Sequence, residues 1–128
     1  MSVGYDLATI RTPSLALIVT RAGNGALLQG YNGVRPATGA PITTQTKLFE
    51  LVCGTPFGVV TGDTLNWTDP TAASALVTGT WTWARVVKAD GTSFVMDCDA
   101  SDFALSGNQT QAGLPVTLTG LKTVEGNP

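Results

Sequence analysis

The sequence predicts a mainly β fold: an antiparallel β-sandwich, of jelly-roll or immunoglobulin-like type, with one short N-terminal α-helix. After residue 25 the chain consists of short runs rich in Val, Thr and Trp, separated by Gly, Pro, Asn and Asp. Apolar and polar side chains alternate along several runs, as is typical of strands with one buried face. A helical apolar pattern precedes them, and 128 residues suit a single domain.

The helical pattern lies near the N-terminus. Thr12 suits the N-cap and Pro13 the first helical position. One helix face would carry Leu15, Ile18, Val19 and Ala22. So short a helix is marginal alone, so this stripe must pack on the sandwich or on a neighbouring subunit. We therefore divide the chain into an N-terminal arm and short helix, residues 1–25, and a β-sandwich domain, residues 26–125.

Eight extended runs make up the predicted sandwich. They cover residues 26–31, 47–52, 58–60, 64–67, 79–87, 93–98, 103–105 and 115–124. Strict alternation in the run 79–87 would place Trp81 and Trp83 on one face, together with Arg85. The turn at Asp90 and Gly91 predicts a hairpin between this run and the next.

The segment between the first two predicted strands, residues 32–41, contains two prolines and two glycines. These residues prevent regular strand pairing, so we predict a long and stiffened loop. Together with the helix, this loop is the predicted region of partner contact. The contact side chains proposed from the sequence are Leu15, Ile18, Val19, Arg35, Pro36, Thr38 and Pro41.

Composition argues against several functional classes. The net charge is -2 and the seven basic residues are scattered, so we expect no nucleic-acid partner. The chain contains no apolar run of the roughly 18 residues that a membrane-spanning helix needs, so we expect no membrane partner. It also lacks histidine and the common nucleophile and phosphate-binding motifs. We expect a protein that is not an enzyme and that uses no cofactor.

Two groups of reactive side chains have alternative interpretations. Cys53 and Cys98 are either buried thiols, which we favour, or a cross-strand disulfide. The carboxylates of Asp97, Asp99 and Asp102 resemble the start of a calcium loop, but the Gly and Glu of an EF-hand are missing. We favour carboxylates that end the hairpin strand and cap the following turn, with no metal site.

Two segments are distinctive in combination: Tyr-Asn-Gly-Val-Arg-Pro-Ala-Thr-Gly at residues 31–39, and Gly-Thr-Trp-Thr-Trp-Ala-Arg-Val-Val-Lys-Ala-Asp-Gly-Thr at residues 79–92. With residues 51–57 and the closing run they resemble a family of small virion proteins of tailed bacteriophages. The resemblance extends from about residue 12 to residue 121. Members of the family often have a Gly- and Ser-rich stretch after the hairpin, and the corresponding stretch of this chain is shorter.

The resemblance implies a structural role in the virion, after assembly in the cytoplasm of the bacterial host. The first hypothesis is a capsid decoration (cement) protein, a homo-oligomer that binds the major capsid protein of the head lattice. The second is a neck, collar or tail structural protein in a ring at the portal vertex. A hypothesis of another class, a carbohydrate-binding module, requires Trp81 and Trp83 to be exposed together.

Overall fold

The computed structural model describes residues 12–62, 64–100 and 109–124. In this part of the chain the fold is mainly β and antiparallel, with one short helix, as predicted. Helix α1 spans Thr12–Ala22. The strands are β1 (Leu27–Tyr31), β2 (Lys47–Val52), β3 (Gly58–Thr61), β4 (Thr64–Trp67), β5 (Ala73–Ser74), β6 (Gly79–Thr80), β7 (Trp83–Val87), β8 (Phe94–Asp99), β9 (Gln109–Thr110), β10 (Pro115–Val116) and β11 (Lys122–Val124).

The strands form a sandwich-like arrangement around a shared core. A four-stranded sheet has the order β2-β1-β7-β8, and a three-stranded sheet has the order β11-β4-β3. Two short pairings, β5 with β10 and β6 with β9, complete the described strands. Leu28 and Val86 of the larger sheet share one buried cluster with Leu65 and Trp67 of the smaller one.

The predicted helix is confirmed as α1. It packs on the sandwich of its own chain. Leu15 is buried in the common core, while Ile18 and Val19 are half-buried against it. The helix contacts β3, β4 and β8. It ends at Gly23, whose φ of 66° lies in the left-handed region and whose N–H donates to the Val19 carbonyl at 3.1 Å.

The prediction of one continuous strand over residues 79–87 is wrong. The run divides into β6, which pairs with β9, and β7, which pairs with β1 and β8. Trp81 lies between the two strands and packs in the core, edge-on to Phe49 at 5.2 Å between ring centroids. Trp83 instead stacks on Tyr31 at 4.7 Å, on the other side of the four-stranded sheet. The predicted common face for the two tryptophans is therefore also wrong.

The remaining predicted runs match the structure to different degrees. Those over residues 26–31, 47–52, 58–60 and 64–67 correspond to β1–β4 within one residue at each end. The run over 115–124 divides into β10 and β11, which pair with β5 and β4 respectively. The run over 103–105 lies outside the described residues. Strands β5 and β9 were not predicted.

The predicted hairpin is present as β7 and β8, which pair from Trp83 opposite Asp99 to Val87 opposite Phe94. Its turn is held by Asp90, whose carboxylate accepts hydrogen bonds from the hydroxyl and N–H of Ser93 and from the N–H of Thr92. These donors, the Ser93 hydroxyl first, hold the pKa of Asp90 below its usual range.

The core face of the four-stranded sheet has one very close approach between neighbouring strands. Gly30 of β1 lies opposite Phe49 of β2, and a Cβ atom on Gly30 would lie 2.0 Å from Cε2 of the phenylalanine ring. Phe49 is fully buried and its ring also contacts Trp81. The ring therefore has no free space to move into, and residue 30 has to be glycine for this packing.

Candidate partner-contact site

The outer face of the four-stranded sheet, opposite the core, carries a row of polar side chains. Alternation along each strand puts these side chains on the face away from Leu28 and Val86. The row crosses all four strands, β2, β1, β7 and β8, with the residues Glu50, Gln29, Arg85 and Asp97 at neighbouring register positions.

The centre of this row is a buried ion pair between Arg85 and Asp97. Nε and Nη2 of the guanidinium donate to the two carboxylate oxygens at 2.7 and 3.1 Å. The Arg85 side chain is 9% exposed and that of Asp97 is 0% exposed. The guanidinium also lies 5.4 Å from the ring centroids of Trp83 and Phe94. The pair is thus shielded from water and bidentate, with two N–H groups bound to the two carboxylate oxygens.

The other half of the row is a hydrogen-bonded chain of neutral and acidic groups. The amide of Gln29 donates to Glu50 at 2.8 Å, and the Tyr31 hydroxyl donates to the Gln29 carbonyl oxygen at 3.2 Å. The Gln29 hydrogen bond, with the nearby Lys47 ammonium, lowers the pKa of Glu50. Burial raises the pKa of Tyr31.

A long loop between β1 and β2, residues 32–46, lies against this polar row and is closed at its base. Asn32 donates its N–H to the Thr46 carbonyl at 3.2 Å, and its side-chain oxygen accepts the Thr46 N–H at 2.7 Å. Trp83 donates its indole N–H to the Asn32 carbonyl at 3.2 Å, and Thr82 donates its hydroxyl to the Gly33 carbonyl at 2.6 Å. The loop base is therefore attached to β7 and to the residue before it.

The far part of the loop is attached to β8. The Gly39 N–H donates to Asp97 at 3.0 Å, on the same carboxylate that pairs with Arg85. Gly39 also lies against the Phe94 ring. Arg35 contacts Asp99 through Nη1 at 3.3 Å. The segment is thus a long loop, as predicted, and hydrogen bonds to the sheet hold it in place in addition to its prolines.

The structure distributes the predicted contact residues unevenly. Thr38 and Pro41 are exposed on the loop, whereas Arg35 and Pro36 are partly covered. Leu15 is fully covered by its own chain, so it is not available to a partner while the helix stays docked. The half-buried Ile18 and Val19 face the core as well.

Val34 was not among the predicted contact residues, although it has the most exposed large apolar side chain described, at 83%. An isolated valine between Gly33 and Arg35 carries no signal of exposure in the sequence. Its exposure follows from the neighbouring attachments, because the Gln45 amide binds the Val34 carbonyl and Thr82 binds that of Gly33. The backbone is held there while the valine side chain points to solvent.

The acidic and thiol groups take part in internal packing. Asp97 and Asp99 lie in the second half of strand β8, and their described partners include Arg85, Gly39 and Arg35. The turn that they were predicted to cap lies outside the described residues. Asp102 lies outside the described residues. In the described ranges no group of three Asp, Glu, Cys or His side chains is placed to hold a metal ion. Cys53 and Cys98 are buried free thiols, and burial raises the pKa of Cys53 to about 12.

The tryptophans do not form an exposed platform. Trp81 and Trp83 are each 1% exposed, and they lie on different sides of the sheet. Trp67 is also buried, against Phe57 at 4.6 Å. The carbohydrate-binding hypothesis required Trp81 and Trp83 to be exposed together, and this condition is not met.

Comparison of the chain with protein-family models, with curated proteins and with solved structures finds no match. Among the described residues no helix is long and apolar enough to cross a membrane. Two of the four segments on which the predicted resemblance to phage virion proteins is based lie at residues 31–39 and 79–92. These segments contact each other directly, through the hydrogen bonds from Thr82 and Trp83 to the loop base.

Proposed function

We propose that this chain is a structural protein of a tailed-bacteriophage virion, and specifically a decoration protein that binds the assembled lattice of the major capsid protein. The observation that carries the proposal is the attachment of the loop, residues 32–46, to the outer face of the four-stranded sheet. The two segments that resemble the virion family meet at this attachment. They build one surface together, which is the arrangement expected if that surface is what the family uses.

The attached loop is suited to binding a large partner because its shape is already set. Its backbone is held in the free chain by hydrogen bonds that Thr82 and Trp83 donate to it and by one that the Gly39 N–H donates to Asp97. A partner therefore does not have to order the loop, which removes part of the entropic cost of association. A protein that binds only the assembled lattice stabilises that lattice by mass action.

The exposed side chains of the loop suit contact with a folded protein surface. Val34, Thr38 and Pro41 are exposed and uncharged, so covering them buries apolar surface without removing a charge from water. The charged groups beneath the loop, Arg85 and Asp97, are already satisfied by each other. This internal pairing supports a structural rather than a catalytic role for them.

The proposal is tested with capsids from a phage strain that lacks the gene for this chain. The purified chain is added back, and the bound fraction is measured by cosedimentation. We expect Val34→Asp to weaken binding by about tenfold or more, because docking would then bury an unpaired carboxylate. Val59→Asp is the matched control, since Val59 is 60% exposed on β3, away from the loop.

Two results would count against the proposal. Equal binding by both variants and the unchanged chain would show that the loop is not the contact surface. Binding restricted to the portal vertex, seen by electron microscopy of the decorated capsids, would favour the neck or tail alternative over a lattice-wide protein.

A further inference from the structure

A second surface lies along a ribbon formed by residues 73–80 and 109–116, which we call the neutral ribbon. Its two segments run antiparallel, with Ala73 opposite Val116 at one end and Thr80 opposite Gln109 at the other. The two pairings share one register and are joined by hydrogen bonds from Ala75 to the Leu114 carbonyl and from Gly113 to the Ala75 carbonyl. The ribbon is thus a continuous structural unit.

The ribbon is anchored to the sandwich on one side. The backbone N–H groups of Leu76 and Val77 both donate to the Leu48 carbonyl, at the outer edge of β2. Thr110 and Val116 are buried, and Thr110 donates its hydroxyl to the Val77 carbonyl at 2.7 Å. The ribbon is therefore attached to the β2 edge of the four-stranded sheet at Leu48.

The middle of the ribbon also exposes apolar side chains. Leu76 is 55% exposed, and Val77 and Leu114 are also exposed. Leu114 lies opposite Ala75, next to Leu76, so the three side chains come from adjoining parts of the two segments. Beside them lies a cleft of about 510 Å³, lined in part by Leu114, Pro115 and Leu118. Several large apolar side chains exposed in one part of a surface indicate a protein interface more often than isolated ones do.

The ribbon is also free of charge. Neither segment contains a charged residue, and the sequence has none between residues 70 and 84 or between residues 109 and 121. The polar side chains at its rim are hydroxyls and amides, namely Thr78, Thr80, Gln109 and Gln111. Each of these groups carries both a donor and an acceptor, so two identical groups can hydrogen-bond to each other.

We propose that the neutral ribbon is the interface between two copies of this chain, related by a two-fold axis. In such an interface each patch meets the same patch of the other copy, so a charged group close to the axis faces an identical charge. A patch that is neutral and whose polar groups both donate and accept can meet its own copy without like-charge repulsion or two unpaired donors, and the ribbon has both properties. The surface next to Leu76 would then pack against the same surface of the partner copy.

The inference is independent of the proposed virion role, because the ribbon shares no residue with the loop at 32–46. It is tested on the purified full-length chain by sedimentation velocity over a range of concentrations. We expect a monomer–dimer equilibrium with dimers predominant at about 100 µM. Leu76→Asp should raise the dissociation constant by about 100-fold, since the dimer would bury two carboxylates of like charge.

Two further variants make the experiment decisive. Leu114→Asp, on the other segment of the ribbon, should weaken dimerisation as Leu76→Asp does. Val59→Asp, equally exposed but outside the ribbon, should leave it unchanged, and circular dichroism checks that each variant is folded. A chain that stays monomeric at about 500 µM, or ribbon variants that dimerise like the unchanged chain, would overturn the inference.

Discussion

Asp97 accepts hydrogen bonds from Arg85 and from the backbone of Gly39, and its side chain is completely shielded from solvent. One carboxylate therefore joins the neighbouring strand of the sheet to the far end of a long loop. Because the guanidinium is almost as well buried, neither charge has water to replace its partner. The geometry of the loop surface thus depends on a residue of β8 that is distant in sequence.

The first prediction concerns this ion pair. Asp97→Ala leaves Arg85 buried without a counter-charge and removes the acceptor for Gly39. We expect a loss of about 3–5 kcal/mol in the free energy of unfolding, measured by urea denaturation. Asp99→Ala is the matched control, because the Arg35–Asp99 pair is partly exposed and should contribute no more than about 1 kcal/mol.

The same pair of variants separates loop attachment from overall stability. Under native conditions, hydrogen exchange of the Gly39 amide should accelerate strongly in Asp97→Ala. Similar losses of stability in the two aspartate variants, or unchanged exchange at Gly39, would show that the buried pair does not hold the loop.

The second prediction concerns the close approach of Gly30 and Phe49. Gly30→Ala places a methyl group where the phenylalanine ring already lies, so we expect a loss of about 3 kcal/mol or more in stability. Gly79→Ala is the control, since a Cβ atom on Gly79 would lie 3.4 Å from its nearest neighbour, Leu48 Cδ1. This is an ordinary contact distance, so we expect the substitution to cost less than about 1 kcal/mol.

A double-mutant cycle tests whether the loss of stability in Gly30→Ala comes from the contact with the Phe49 ring. Adding Phe49→Leu to Gly30→Ala should destabilise by clearly less than the sum of the single substitutions. Strict additivity would mean that the glycine is needed for another reason.

The third prediction concerns the thiol of Cys53. Burial raises its pKa to about 12, so the native chain holds almost no thiolate at pH 8. A thiol-specific reagent should therefore label Cys53 only after denaturation. Because the folded-state pKa lies above that of the unfolded chain, this thiol should also make the fold less stable as the pH rises above about 9. Rapid labelling of native Cys53 would contradict its placement in the core, and Cys53→Ala serves to assign the signal.

The fourth prediction concerns the low pKa of Glu50, caused mainly by the hydrogen bond from Gln29. A carboxyl whose folded-state pKa is depressed stabilises the fold above its unfolded value and loses this contribution as the pH falls through the folded value. Urea unfolding between about pH 6 and pH 3 should therefore show a smaller loss of stability for Glu50→Gln than for the unchanged chain. Parallel pH profiles would indicate that the Gln29–Glu50 hydrogen bond contributes nothing.

Local patterns in the sequence predicted most of the local structure. The helix was predicted because its N-cap at Thr12 and its apolar spacing as far as Ala22 agree, and in the structure it ends at Ala22, before Gly23. The hairpin was found because an Asp-Gly turn separates two β-rich runs. In each case the signal and the structure lie within about a dozen residues of each other.

The errors lie where distant strands compete for the chain. Alternation predicted that Trp81 and Trp83 share a face, but alternation holds only while a strand keeps its partners. Here β6 pairs with β9 and β7 with β1, so the chain changes partner between the two tryptophans. The amino-acid composition of residues 79–87 does not indicate which distant strand each part of this segment pairs with.

The candidate site shows the same division. The prolines and glycines of residues 32–41 were enough to predict a stiff loop. Its attachment to Asp97 and Asp99 joins residues about 60 positions apart, and no local pattern in the sequence links them. The exposure of Val34 accompanies the hydrogen bonds from Gln45 and Thr82 to the neighbouring backbone, so it could be recognised only in the folded chain.

The most direct test of the proposed decoration role is the number of copies of this chain in a purified virion of the phage that encodes it. Quantitative mass spectrometry against the major capsid protein measures that ratio. A lattice-wide decoration protein should approach parity with the capsid protein. A ratio of a few per cent or complete absence from the particle would contradict the proposal, the first result by placing the chain at a unique vertex and the second by removing it from the virion.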